Sequence, residues 1–476
     1  MNNSKIDIVL TTPPFSLKEN FGLLDFVGQY GPPVNLLYLS STLEKAGINT
    51  RVLDLSREKR SLEECAEYIV YNIKPEFVGV AVHFTFLVNK SLSLILLIKK
   101  LDPKVRIIVG GIHFTALPEE TMNECPEIDV GILGEAEEAL VKLVKCLKEN
   151  RDPNNINGVI FRNKEELIKE GDKNLIDDIN KLPFPLYEKI DISSYAFPLY
   201  KEKRNITFPI VTSRGCPFAC TFCDRTILAR EVRFYSIDYL SKMIDVLVKH
   251  FKVNCLDVED ENICITKNRF KDICDLFKDM FLKYNITWNC YVRVDSVNSE
   301  TAKMLYDSGC RSATFGIESG SQKMLDTYNK KLNINEVPEK CSIMRHAGIM
   351  LAGSFIIGGP GEDEESILDT INLVRRADLD YMYLWYFIPF PGSSLYKDLE
   401  NKGTLAGDYS NVTGHRISFI PNTLSYQQLE TGYKKIYQTF YSRPSVILRM
   451  IRKNGIRGVP QIFRNGIRYL RRFMFQ

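Results

Sequence analysis

Ser213-Arg-Gly-Cys-Pro-Phe-Ala-Cys-Thr-Phe-Cys-Asp-Arg225 is the stretch from which the rest of the chain can be read. Cys216, Cys220 and Cys223 stand in Cys-x-x-x-Cys-x-x-Cys order. Thiolates are the usual protein ligands of iron–sulfur clusters, and this spacing wraps three of them around one corner. A cubane needs a fourth ligand, and no fourth Cys lies nearby. One iron is therefore left open to a small molecule, which points to catalysis rather than electron storage. Structural zinc sites prefer four ligands and paired Cys-x-x-Cys units. Ordinary buried thiols do not require any spacing.

The spacing, with the flanking Gly215-Cys-Pro and Cys-x-Phe-Cys, resembles the radical S-adenosylmethionine (SAM) superfamily. The resemblance implies a 4Fe–4S cluster whose open iron holds the amino and carboxylate groups of SAM. It also implies reductive cleavage of a C–S bond to give a 5′-deoxyadenosyl radical. The electron then comes from an external donor such as flavodoxin or ferredoxin.

Around this loop the sequence alternates strand and helix signals. Strands are predicted at Ile210–Ser213, Cys255–Asp260, Trp288–Asp295, Arg311–Ser319, Ala352–Gly358 and Tyr381–Phe387, with helical stretches between them. The spacing says parallel α/β; the resemblance makes it a partial (β/α)6 TIM barrel. Active sites of such barrels sit at the carboxyl ends of the strands. Glu259, Asp260 and Glu261 close the second strand, an edge that meets the SAM amino group in the superfamily, and carboxylates suit an ammonium group. Arg293 and Asp295 close the third, where the Arg suits either the SAM carboxylate or an ion pair with the acidic strand end. Gly316-Ile-Glu-Ser-Gly320 closes the fourth and is a family signature, with Gly316, Glu318 and Ser319 as SAM contacts. Gly358-Gly-Pro-Gly-Glu362 closes the fifth and resembles the Gly-rich adenine-side loop, through Gly358 and Gly359. Lys330 and Lys331 read as solvated charges. The aromatic sixth strand reads as a buried barrel strand whose end lines an apolar pocket.

From about Lys5 to Glu149 a separate βαβ series predicts a doubly wound parallel sheet. Ligands of such sheets bind at strand carboxyl ends. Val109-Gly-Gly-Ile-His-Phe-Thr115 lies at one, and Gly110 and Gly111 allow close backbone approach. With Val78-Gly-Val-Ala-Val-His-Phe-Thr85 it resembles the cobalamin-binding domain found ahead of many radical SAM cores. Thr85, Gly110, Gly111 and His113 are then cofactor-binding residues. Many such domains carry Asp-x-His-x-x-Gly after the first strand, with the His on cobalt. Here that loop, Pro13–Gly22, has no His. His83 and His113 read as hydrogen-bonded loop or core residues, so cobalamin is expected without a lower His ligand.

The chain has 476 residues, enough for more than one domain. The expected division is a cobalamin-binding-like domain at 1–150, a Pro-, Asn- and Asp-rich linker at 151–205, the barrel at 206–395 and a helical, basic region at 396–476. A net charge of +3 argues against a chain-wide nucleic-acid surface. Twelve Cys in this length are no secreted disulfide scaffold. The polar opening has no signal-peptide apolar run, so a reducing, cytoplasmic setting is expected. Arg449–Gln476 carries eight Lys or Arg and no acid, the composition of a solvated tail, of peripheral contact with an anionic membrane or, less expected, of contact with nucleic acid. The expected activity is cobalamin-dependent methylation of an unactivated carbon of a small molecule or lipid. The alternatives are radical cyclisation or oxidation, tRNA methylthiolation, and a non-enzymatic cobalamin or redox sensor. A methylthiotransferase has further cluster cysteines and a terminal RNA-binding barrel; here Cys65, Cys125 and Cys146 show no matched loop positions and the tail is short for a barrel, so that alternative is not expected.

Overall fold

The computed structural model describes residues 5–21, 30–195, 206–227, 229–406 and 412–452. Most of the basic carboxyl-terminal stretch therefore lies outside the described residues.

Two sheets organise the chain. The first holds β1 (Ile8–Thr12), β2 (Thr50–Asp54), β3 (Phe77–Ala81), β4 (Arg106–Gly110), β5 (Val130–Ile132), β6 (Val159–Asn163) and β7 (Glu166–Glu170). Its order is β2-β1-β3-β4-β5-β6-β7. The first five strands run parallel, and β6 and β7 return antiparallel. The β6–β7 hairpin thus extends this sheet past residue 150, into the stretch read as a linker. β1, β3, β4 and β5 are buried at nearly every position, as strands covered by helices on both faces must be. The chain reverses direction of winding between β1 and β3, and ligands of doubly wound sheets bind at that switch.

The second sheet begins with β8 (Thr207–Ile210). A short antiparallel pair, β9 (Ser213–Arg214) with β10 (Arg233–Phe234), brackets the cysteine loop. Then follow β11 (Cys255–Val258), β12 (Thr287–Val292), β13 (Cys310–Glu318), β14 (Met350–Ile357) and β15 (Tyr381–Tyr386). The order β15-β14-β13-β12-β11-β8 is parallel throughout and steps one strand at a time. Helices Ile237–Phe251, Lys267–Tyr284, Ser299–Asp307, Val337–His346 and Glu364–Arg376 separate the strands. This is the predicted partial barrel. Its first strand lies three residues earlier than expected, because Thr212 and Ser213 turn out of the sheet to begin the cysteine loop. Pro209 is tolerated inside β8 because that strand is an edge.

The helix starts are written locally. Ser236 accepts the Tyr239 N–H, and Asn298 and Asp363 form reciprocal capping boxes. Beyond the barrel, β16 (Gly403–Leu405) pairs with β17 (Phe419–Pro421), and helix Tyr426–Tyr441 packs on the outer face of β15. One hydrophobic core runs through both sheets. At the seam Tyr38 of the first domain stacks on Tyr235 of the second, with centroids 6.4 Å apart. No helix among the described residues is long and apolar enough to cross a membrane.

Candidate active site

The cysteine loop leaves the carboxyl end of β8 and is fixed at its root by Asp260. This carboxylate accepts the Thr212 N–H at 2.5 Å and both the Thr212 and Ser213 hydroxyls at 2.6 Å. Asp260 is thereby committed to anchoring the loop, not to an ammonium ligand. Gly215 turns the chain at φ +109°, where a Cβ would sit 2.6 Å from the Glu231 carbonyl oxygen. Cys216 N–H then donates to Ala229 O at 3.0 Å, and Arg225 donates to Cys216 O at 2.9 Å. Thr221 is pinned to Tyr328 O through its N–H and to Thr327 O through its hydroxyl.

All twelve cysteines are free, and eight are buried; Cys216, Cys220 and Cys223 are all part-exposed. Burial, then the nearby Glu261, push the Cys223 thiol up to about 12, and burial also raises Cys216. Such thiols shed their protons only to a strong local positive charge, which a metal cluster supplies. Among the described residues no three His, Cys, Asp or Glu side chains converge on a single-ion site. A cluster does not require convergence, because each thiolate meets a different iron.

The other strand ends gather around this loop. On β11 the strand period of two points Asp257, Glu259 and Glu261 along the face opposite Asp260. Burial raises Asp257 to about 6, and burial with Asp257 and Glu261 raises Glu259 to about 7. Glu259 and Glu261 are solvent-accessible yet strongly desolvated, as side chains within a cleft are. At the end of β12, Arg293 is buried, with a fork onto Asp295 (3.1 and 2.7 Å) and a hydrogen bond to Lys330 O at 2.8 Å. Its guanidinium lies 3.9 Å from the centroid of the Phe218 ring of the cysteine loop. Here an ion pair and loop packing take the residue that the sequence suggested for SAM.

The Gly-Ile-Glu-Ser-Gly segment forms a bulge at the end of β13, with Glu318 at φ +69°. Lys330 Nζ donates to Glu318 Oε1 at 2.6 Å, and both side chains are buried. The expectation of a solvated Lys330 is therefore corrected: the residue is drawn inward by a buried carboxylate, and only Lys331 is exposed. A Cβ on Gly316 would lie 2.7 Å from Glu318 Oε1 and 2.9 Å from Lys330 Nζ, so the pair would have to shift to admit one. Ser319 is buried against Thr370 and accepts the Ser321 N–H. After β14, the Gly358 and Gly359 N–H groups both donate to the Glu362 carboxylate. Burial lifts Glu362 to about 8 despite those bonds. The Tyr328 hydroxyl is buried without a hydrogen-bond partner beside Gly359, and its ring meets Phe222 of the cysteine loop edge-on at 5.2 Å.

In the first domain, the loops after β1, β3 and β4 meet at the switch point. Phe15 packs against Phe86 at 6.0 Å, and Phe84, half-exposed, stacks on Phe86 at 5.7 Å. Gly111 has φ +112°, and a Cβ there would lie 2.7 Å from Val82 O. Gly110 is more open, with Ile132 O at 3.4 Å. His113 is buried, with Nδ1 3.2 Å from the buried Thr85 hydroxyl, and burial lowers it to about 4. His113 and Thr85 thus brace the loops from beneath. His83 lies beside Phe84 and is likewise lowered to about 4 by desolvation. A shelf of glycine backbone and aromatic rings suits a large flat ligand.

Sequence reasoning missed three groups. Glu135 and Glu137, just after β5, hold Arg214 and Arg233 on either side of the cysteine loop. His415 lies between Trp385 and Phe21, at 4.6 and 5.6 Å, with neither ring nitrogen partnered. Glu362 enters the sequence reading only as the last residue of the loop that resembles the adenine-side loop, with no role of its own. No periodicity marks any of them, since each is defined by partners distant in sequence or by its depth.

The class of protein follows from these two sheets and the loop between them, and comparison with known families agrees. The B12 binding domain model matches residues 22–144, and the radical SAM superfamily model matches residues 210–374. The chain is a radical SAM enzyme with an amino-terminal B12-binding domain. It is 27% identical to an uncharacterized methyltransferase of Pyrococcus horikoshii, over 96% of this chain and 98% of that one. It is 25% identical to the anaerobic magnesium-protoporphyrin IX monomethyl ester cyclase of Cereibacter sphaeroides, over 90% and 69%. Its fold matches the radical SAM methyltransferase TsrM of Kitasatospora setae, with a TM-score of 0.71, 16% identity and coverage of 92% and 89%. A radical SAM domain uses SAM and a 4Fe–4S cluster, and a B12-binding domain takes a corrinoid. The chain therefore needs a substrate and a source of electrons.

Proposed function

We propose that this enzyme methylates an unactivated carbon of a small-molecule or lipid substrate, using a methyl group carried by cobalamin. One observation carries the reading: carboxylates of the B12-binding domain grip the residue two positions before the first cluster cysteine. Arg214 Nη2 lies 2.8 Å from Glu137 Oε1, so the two cofactor domains share one built seam. The methyltransferase name of the relative matched end to end supports the same reaction.

When bound, the cluster and SAM supply a 5′-deoxyadenosyl radical and the corrinoid supplies the methyl group. Cys216, Cys220 and Cys223 hold the cluster as thiolates. Asp260 and Gly215 set the loop that presents them. Glu259 and Glu261 offer cleft-facing carboxylates to the SAM ammonium. The Glu318–Lys330 pair and the Gly358–Gly359 backbone close the far side. The Phe15, Phe84 and Phe86 rings with Gly110 and Gly111 form the corrinoid shelf. The proteins supply position and water exclusion here, while the cofactors carry the chemistry. The same reading puts the chain in the reducing cytoplasm, where twelve free thiols and such a cluster persist.

The similarity to the ester cyclase favours one second reading, radical cyclisation or oxidation without methyl transfer. Anaerobically reconstituted protein, given methyl-labelled SAM, dithionite and a corrinoid, separates the two. Label on cobalamin and then on product supports methylation. 5′-Deoxyadenosine with no label in product supports the second reading. Cys216→Ala should abolish 5′-deoxyadenosine formation; turnover that survives it would overturn the cluster assignment.

A further inference from the structure

A recess of about 510 Å³ lies beside the cysteine loop, between residues 173–177 and a wall that includes Arg225, Ala229, Arg230, Glu231 and Arg233. Four cations line it, Lys173, Arg225, Arg230 and Arg233, against the carboxylates of Asp177 and Glu231. Arg233 is forked onto the buried Glu135 carboxylate at 2.7 and 2.8 Å, and Arg225 lies within electrostatic reach of Glu261. Lys173 donates to the Thr226 carbonyl at 2.5 Å, and Arg225 donates to the Cys216 carbonyl at 2.9 Å. Neutral acceptors satisfy those donors without cancelling their charge. Burial and the neighbouring Arg225 lower Lys173, and Asp224 opposes this in part. Arg230 projects into solvent at the rim, beside the exposed side chain of Leu175.

We infer that this basic recess is the docking surface for the acidic protein that delivers the electron to the cluster. The inference rests on the radical SAM reading and deepens it by naming the partner's chemistry and its seat. The recess shares a wall with Cys216, through Arg225 on its carbonyl and Ala229 O on its N–H. A donor seated there stands behind the peptide of a cluster ligand. The partner is a reduced flavin or iron–sulfur protein with an acidic face. It gives up one electron, the cluster gains it, and no proton or group is transferred. An exposed apolar contact at Leu175 within a charged rim suits a transient complex of this kind. Complementary charge acts mainly on encounter rate and is screened by salt.

The test uses the reconstituted enzyme and flavodoxin. Binding of oxidised flavodoxin is measured by calorimetry at low and high salt, and SAM cleavage is driven either by flavodoxin hydroquinone or by dithionite. Arg230→Glu should weaken flavodoxin binding and slow the flavodoxin-driven rate roughly tenfold at low salt, while leaving the dithionite rate unchanged. Glu231→Lys should shift both flavodoxin measurements the opposite way. Binding unaffected by either substitution would overturn the assignment. So would a loss of rate shared equally by dithionite, which would place the defect in the cysteine loop. An unaltered enzyme that cleaves no SAM with dithionite would instead sink the radical SAM reading beneath it.

Discussion

Glu135 Oε1 and Oε2 receive the two Nη groups of Arg233 at 2.8 and 2.7 Å, although 98 residues separate them. The same carboxylate accepts the Ile176 N–H at 2.7 Å and lies 3.4 Å from Arg214. Burial pushes the Glu135 carboxyl up, but the Arg233 hydrogen bond and the Arg214 charge outweigh it and hold the group below the usual range. One side chain of the first domain thus joins both arms of the β9–β10 pair that brackets the cysteine loop.

Glu135→Ala should lower stability by roughly 3–5 kcal/mol, because it strands the largely buried Arg233 guanidinium, whereas Arg214 keeps Glu137. It should also reduce iron retained per chain. Glu138→Ala, one turn away and exposed, serves as the control and should stay within about 0.5 kcal/mol. Urea midpoints and iron content after reconstitution check both. A Glu135→Ala protein as stable as the control would show that the seam is not held by this clamp.

Lys330 and Lys331 are adjacent in sequence and differ in fate. Lys330→Met leaves the Glu318 carboxylate buried and unpaired, which should cost roughly 3–5 kcal/mol. Lys331→Met should cost less than about 0.5 kcal/mol. Adding Glu318→Gln to Lys330→Met should recover part of the loss, since it removes the stranded charge. Equal denaturation midpoints for the two single variants would contradict the buried pair.

What could be read in advance, and what could not, follows from the range of each interaction. The cysteine loop was legible because its ligands are set by covalent spacing. The parallel strands of both sheets were legible as short apolar runs bounded by Gly, Pro and charge, whereas β6 and β7 fall in the stretch read as a linker. The fates of Glu259 and Asp260 were legible in principle, since neighbours on a strand point to opposite faces. Asp260 meets Thr212 and Ser213, while Glu259 faces the cleft. The Glu135 clamp was not legible, because no local pattern links residue 135 to residues 214 and 233. The inward turn of Lys330 was equally hidden. It depends on a bulge that brings Glu318 beneath it, and two adjacent lysines otherwise look like surface.

Glu362 should give the fold a pH signature. Burial raises it from 4.5 to about 8, so the folded chain keeps a proton that the unfolded chain has released between those values. The stabilisation is therefore full below about 4.5, falls as pH rises, and is gone above about 8. Glu362→Gln keeps an acceptor for the Gly358 and Gly359 N–H groups and cannot ionise. Its stability relative to the parent should rise by on the order of 1.4 kcal/mol per pH unit between pH 5 and 8. Denaturant titrations at four pH values test this, and parallel profiles for the two proteins would show that Glu362 is ionised in the fold.

Gly110 and Gly111 make different demands on the corrinoid shelf. Gly111→Ala must place a Cβ at φ +112° and 2.7 Å from Val82 O, with backbone rather than a flexible side chain in the way. It should cost about 1–3 kcal/mol and displace the loop after β3 that carries His83 and Phe84. Gly110→Ala meets only Ile132 O at 3.4 Å, at an ordinary φ, and should cost less than about 1 kcal/mol. Corrinoid retained per chain after gel filtration should fall sharply for Gly111→Ala and little for Gly110→Ala. If Gly111→Ala is destabilised yet retains corrinoid as the parent does, the shelf lies elsewhere. If both variants keep stability and corrinoid, the close approach of these loops plays no part in binding.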